Sequence, residues 1–129
     1  MPNKTYALEW LDFAKKNLET ASLLYDANHY TDIIAIEIHQ TIEKSFKSIL
    51  AYHGIKTPKT HDLMILYEKC EQFKIFKTLT IDNFLIINDY YETERYPGPK
   101  YNIPSQEEIK ENLNIAGEIY KQVSDYIKE

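Results

Sequence analysis

The chain has 129 residues, 43% hydrophobic and 27% charged, the composition of one ordinary globular domain spanning 1–129 and not of a disordered tract. Its net charge of −5 excludes attraction of nucleic acid or an anionic membrane through the overall field, so any phosphate contact needs a local cluster. A single cysteine, Cys70, excludes an intrachain disulfide, a CxxC redox motif and a cysteine-based zinc cage.

Residues 5–27 read as the first helix, because Ala7, Trp10, Leu11, Ala14, Leu18, Ala21 and Leu24 recur at helical spacing between lysines and glutamates. Trp10 is expected in the core or at a dimer contact. Asp26–Tyr30 breaks the pattern as a turn. A second helix starts at Thr31 or Asp32, both good N-caps, and runs to His53, with Gly54 as its C′ residue. Within it, Ile42, Phe46, Ile49 and Leu50 form an apolar stripe. Gln40, Lys44 and Lys47 form a polar row on the other side, with Glu43 beside them. His39, at the edge of the apolar face, reads as a packed core histidine. It stands four residues before Glu43, but no third ligand is evident, so neither a metal site nor a cofactor is expected.

Residues 54–60 form a loop, where Pro58 discourages helix at Thr57. Thr60 or Asp62 caps a short helix that carries Leu63, Ile65, Leu66 and Tyr67 and ends near Gln72. Residues 73–79 fit either a turn of helix or an extended connector that tucks Phe73 and Phe76 into the core. A fourth helix begins at Thr80 or Asp82, carries Phe84, Leu85, Ile87 and Tyr91, and stops at Arg95–Pro99, where two prolines and a glycine intervene. Pro104-Ser105-Gln106-Glu107-Glu108 opens the last helix with a capping-box pattern. Ile109, Leu113, Ala116, Tyr120, Val123 and Ile127 continue it as an apolar seam. Gly117 within that seam, about 1 kcal/mol less favourable than alanine in a helix, suggests a close helix approach or a dimer contact.

No stretch alternates long enough to be a strand. The sequence therefore predicts an all-α, up-and-down antiparallel bundle of four long helices and one short one. The longest apolar run, Leu63–Tyr67, is too short to span a membrane, and the first residues lack a signal-peptide core, so a cytoplasmic address is expected. Lysine outnumbers arginine fourteen to one, which makes the single arginine, Arg95, a candidate for bidentate recognition. If successive helices alternate in direction, one pole gathers His53, His61, Arg95, Tyr96, Tyr101, Tyr6 and Trp10. Lys47 would then lie about 9 Å along the second helix from His53. Two helix N-termini at that pole would suit an anion.

The series Trp10, Ala14, Ala21, Leu24, Tyr30, His39-Gln40, Glu43-Lys44, Lys47, Leu50, Gly54, Pro58, Thr60-His61-Asp62-Leu63, Leu66 and Arg95-Tyr96-Pro97 resembles the HEPN (higher eukaryotes and prokaryotes nucleotide-binding) domain family. The ordered combination of Gln-x-x-Glu-Lys-x-x-Lys, Thr-His-Asp-Leu and Arg-Tyr-Pro is more specific than any one motif. The resemblance implies an all-α bundle that dimerises, is often paired with a minimal nucleotidyltransferase and in some members binds a nucleotide. Many relatives are metal-independent RNase toxins that use an Arg-x4–6-His motif. Here the corresponding positions after Arg95 hold Lys100, Tyr101 and Asn102, and no histidine follows His61. Tyrosine, with an ordinary pKa near 10, is a poor substitute for imidazole in acid–base work. The resemblance thus points to a non-catalytic homodimer with a nucleotide ligand. Lys44, Lys47 and Arg95 would meet phosphates, Tyr96 would stack on or frame a base, His61 would donate a hydrogen bond and Gln40 would line the same wall. An RNase with His61 as a displaced catalytic residue, paired in space with Arg95, and a purely structural interaction module are the other two expectations.

Overall fold

A computed structural model describes residues 2–76, 81–93, 97–98 and 103–128. The described residues form five helices: α1 (Lys4–Asp26), α2 (Thr31–Tyr52), α3 (Leu63–Glu71), α4 (Ile81–Thr93) and α5 (Gln106–Lys128). No strand occurs among the described residues. The fold is all-α, with helix boundaries close to those the periodicity predicts.

Local chemistry explains the ends. Asn3 Oδ1 accepts from the Tyr6 N–H, and Asp62 Oδ1 accepts from the Met64 N–H, so α1 and α3 begin on side-chain caps. Ser105 Oγ accepts from the Glu108 N–H at the start of α5. The reciprocal half of that capping box is diverted, because the Glu108 carboxylate accepts from the Tyr90 hydroxyl instead. Gly54 turns the chain after α2 at φ +72°, a conformation that favours glycine.

Helix α2 is the hub. Fifteen of its 22 residues are buried, which places it against neighbours on nearly every side. Small residues let α1 approach it: Ala7, Ala14 and Ala21 are buried, and Ser48 Oγ donates to the Ala7 carbonyl at 2.8 Å. Phe46, fully buried, anchors the other side through edge and tilted contacts with Tyr67, Phe76 and Phe84. On α4, Phe84, Ile87 and Tyr90 are buried, whereas Leu85 is 47% exposed. Asn112, fully buried on α5, donates to Tyr90 Oη and accepts from Asn83 Nδ2, so a polar network joins α4 to α5.

One connection departs from strict up-and-down order. The loop 54–60 runs back along α2, so α3 points the same way as α2. His61 stands beside Glu43, while Phe73, beyond the end of α3, stacks on His53 at the C-terminus of α2. Glu43 and His53 are about 15 Å apart along a helix, within the span of seven extended residues. From there the direction alternates again. Phe84 meets Phe46 and Tyr91 meets His39, so α4 runs against α2. Thr31 Oγ1 donates to the Pro104 carbonyl at 2.7 Å, and Tyr126 meets His53, so α5 runs with α2.

That reversal dissolves the single pole expected to hold His53 and His61 together. Two further corrections follow from packing. A Cβ at Gly117 would meet nothing within 4 Å, so no close helix approach explains that glycine inside the chain. Residues 73–76 are non-helical, with Phe73 and Phe76 packed against the core; residues 77–79 and the proposed cap Thr80 lie outside the described residues.

Candidate functional site

The polar row of α2 does not face solvent as a unit. Lys47 is 6% exposed, and its Nζ donates to Glu43 Oε2 at 2.9 Å. The same ammonium lies 5.4 Å from the Trp10 ring centroid, so α1 covers the pair. Trp10 is partly buried against the core, as the sequence implies. Among the described residues its buried Nε1 has no hydrogen-bond partner. Glu43, 2% exposed, uses its other oxygen on His61, with Oε1 to Nδ1 at 3.0 Å. His39, 1% exposed as a core histidine should be, brings Nδ1 to 3.7 Å from the same Oε1.

A carboxylate this deeply buried would ordinarily resist ionisation. Burial pushes the Glu43 carboxyl up, but hydrogen bonds from Lys47 and His61, together with the Lys47 charge, outweigh it and hold the group below the ordinary glutamate value. Glu43 is therefore an anion at neutral pH, bridging a buried lysine and a boundary histidine.

His61 is where this buried chain reaches the surface. Its side chain is 47% exposed, and its ring stacks on Tyr91 with centroids 4.2 Å apart and planes 14° from parallel. Beside it opens a cleft of about 450 Å³ lined by Lys59, Thr60, His61, Asp62, Asn88, Asp89, Tyr91 and Glu92. That volume lies within the usual range of small-molecule sites, about 300–1,000 Å³. The cleft wall is rigidified from both helices: Asn88 Oδ1 accepts from the Leu63 N–H, and Asn88 Nδ2 donates to Asp62 Oδ1.

Of the described residues expected to bind a nucleotide, Gln40, Lys44, Lys47 and His61, only His61 lines the cleft. Lys47 joins it indirectly through Glu43. Lys44 turns to α1 instead, where its Nζ donates to Asn17 Oδ1 at 3.3 Å and lies 5.7 Å from the Phe13 ring centroid. Burial lowers the Lys44 pKa, partly offset by Glu43 and Glu37. Gln40 is half-buried on α2 and also lies outside the cleft lining. Arg95 and Tyr96 lie outside the described residues, as do the RNase-motif positions Lys100, Tyr101 and Asn102. Among the described residues, no group of three or more His, Cys, Asp or Glu is arranged to hold a metal ion.

Sequence reasoning missed Tyr91 as a site residue, and with it the acidic rim of Asp62, Asp89 and Glu92. A signal was present: Asn88, Tyr91 and Glu92 stand at i, i+3 and i+4, one face of α4.

Comparison with known proteins agrees with this architecture. The sequence pattern of the HEPN domain matches residues 7–126. A curated protein of Methanocaldococcus jannaschii named "Putative toxin MJ1304" is 28% identical, covering 98% of this chain and 91% of its own. The crystal structure of ST0689, an archaeal HEPN homologue, superposes with a TM-score of 0.69 at 21% identity, covering 94% of this chain and 97% of that one. TT1696 from Thermus thermophilus gives a TM-score of 0.72, also at 21% identity, over 92% and 96% of the two chains. With its pattern matched almost from end to end and its fold shared with a solved homologue, the chain belongs to the HEPN domain family.

Proposed function

We propose that this HEPN protein is a non-catalytic homodimer that binds a nucleotide in the cleft beside His61 and works together with a minimal nucleotidyltransferase. The observation that carries the ligand reading is the setting of His61. Its Nδ1 is tied to buried Glu43 and its ring plane is fixed by Tyr91, so the other ring nitrogen is pre-oriented at the edge of a nucleotide-sized cleft. Lys59 supplies a cation on the same lining. Arg95 and Tyr96 follow Tyr91 by four and five residues in the sequence, and they are the bidentate cation and the aromatic ring assigned to phosphate and base. Gln40 and Lys44 serve the α1–α2 seam in this reading, and Lys47 serves the ligand only by holding Glu43.

Calorimetric titration with ATP, ADP, GTP and GDP tests it. Heat is expected with at least one of them, with binding at least tenfold weaker in Arg95→Ala and in His61→Ala. Absence of heat with all four contradicts the nucleotide reading. Co-purification with a minimal nucleotidyltransferase encoded beside this chain tests the pairing.

A second reading has its own support. A carboxylate–imidazole pair at a cleft edge is also how a general base is oriented, and a relative bears the name of a toxin. An RNase that used His61 in place of the missing motif histidine would arrest growth on expression, and His61→Ala would relieve the arrest. Normal growth under strong induction rules it out.

A further inference from the structure

We infer that the cleft reads the sugar of its nucleotide, with His61 Nε2 accepting a hydrogen bond from a ribose hydroxyl and Glu43 acting as the positioning residue that fixes the imidazole for this task. The inference rests on the nucleotide reading above and deepens it.

The chemistry follows from which atoms can donate. Glu43 is ionised, and an ionised carboxylate only accepts. The 3.0 Å contact to His61 Nδ1 therefore requires the proton on Nδ1. In its neutral form the ring then presents Nε2 as a bare lone pair, an acceptor that a hydroxyl or amino group satisfies and a phosphate oxygen does not. Glu43 is itself held by Lys47, so the tautomer is specified from inside the bundle. Tyr91 fixes the ring plane, which fixes the direction of the lone pair.

The rest of the lining has the same bias. Among the described residues, Asp62 and Glu92 bring two carboxylates to the lining beside the ammonium of Lys59. Such a wall repels a bare phosphate and welcomes hydroxyl and amino donors. The nucleoside end of the ligand thus enters the cleft, and its phosphates point away from the acidic rim. This revises the expectation that His61 donates a hydrogen bond.

Binding of ATP, 2′-deoxy-ATP and 3′-deoxy-ATP at pH 8.5 provides the test, with GTP and its deoxy forms used if GTP is the tighter ligand. At least tenfold weaker binding of one deoxy form is expected. The ribo/deoxy ratio should collapse to below threefold in Glu43→Gln, whose amide no longer dictates the tautomer. Since Glu43→Gln disturbs a buried ion pair, His61→Phe provides a second arm. It keeps the stack on Tyr91, removes both nitrogens and should bind ribo and deoxy forms alike. Equal affinity of the wild type for all three nucleotides, or a ratio that survives in His61→Phe, overturns this inference and leaves the nucleotide reading standing. No binding of any nucleotide overturns both.

Discussion

Two histidines meet α2 at different levels, and they have opposite surroundings. His61 meets a carboxylate, and among the described residues His53 meets rings and a phenol. His53 stacks on Phe73 with centroids 3.7 Å apart and planes 5° from parallel, and its Nε2 lies 2.7 Å from Tyr126 Oη. Burial without a compensating charge pushes the His53 pKa down. This imidazole acts as a flat aromatic piece that pins the chain after α3 and the end of α5 to the end of α2. His61 uses the same ring differently, since an anion on one nitrogen holds a ring that lines the cleft. The type of residue is shared, and the partner decides whether the ring is a staple or a cleft-lining group held by an anion.

The contrast is most easily broken at Glu43. Glu43→Ala strands the buried Lys47 ammonium, and breaking a buried pair in this way costs about 3–5 kcal/mol. Thermal unfolding should show a melting point lower by roughly 10 °C or more. A shift of only a degree or two would mean that the Lys47–Glu43 pair is solvated and that the chain to His61 is not held from within. At the other histidine the effect is smaller. Tyr126→Phe removes the hydrogen bond to His53 from a half-buried ring and should cost about 1 kcal/mol in urea unfolding, with nucleotide binding unchanged. Altered nucleotide affinity in that variant would show that the two histidines are coupled. His61→Phe should cost about 1 kcal/mol, because it preserves the stack on Tyr91 but takes one hydrogen bond from the buried Glu43 carboxylate. Its loss is expected in ligand affinity, read by calorimetry.

Acidity separates the two sites without a ligand. The folded His53 binds its proton more weakly than the unfolded chain does, so stability falls as pH drops below about 6.5. Above that pH its contribution is constant. Glu43 is held below the ordinary glutamate value, so its contribution is complete above about pH 4.5 and is lost as pH falls further through the folded value. Denaturation curves from pH 3 to 8 should show both limbs. His53→Phe is expected to flatten the upper one only, and an unchanged upper limb would deny His53 its assigned role.

Most of the architecture was legible because helices announce themselves by period and caps. Ile42, Phe46, Ile49 and Leu50 are all fully buried on α2 as their spacing requires, and Asp62 caps α3 as its position before an apolar run suggests. The direction of α3 was not legible. Residues 54–60 look the same whether they turn at once or run back along α2, because what decides is a distant partner, Glu43, waiting for His61. Burial of Lys47 was hidden for a related reason. A Glu–Lys pair at i, i+4 usually marks a solvated face, and only the approach of Trp10 from α1 converts it into an interior ion pair. The stripe His39, Glu43, Lys47 did carry a hint, since two consecutive i, i+4 steps of complementary groups beside the apolar face bring one carboxylate between two nitrogen-bearing side chains.

The central claim is that Glu43 fixes the proton of His61 on Nδ1, because an ionised carboxylate only accepts. Long-range nitrogen–proton NMR correlation of the imidazoles at pH 8.5 reads it directly. The account predicts a protonated Nδ1 and a bare Nε2 for His61 in the wild type, shifting toward the Nε2-protonated form in Glu43→Gln. A wild-type His61 that carries its proton on Nε2 would contradict it.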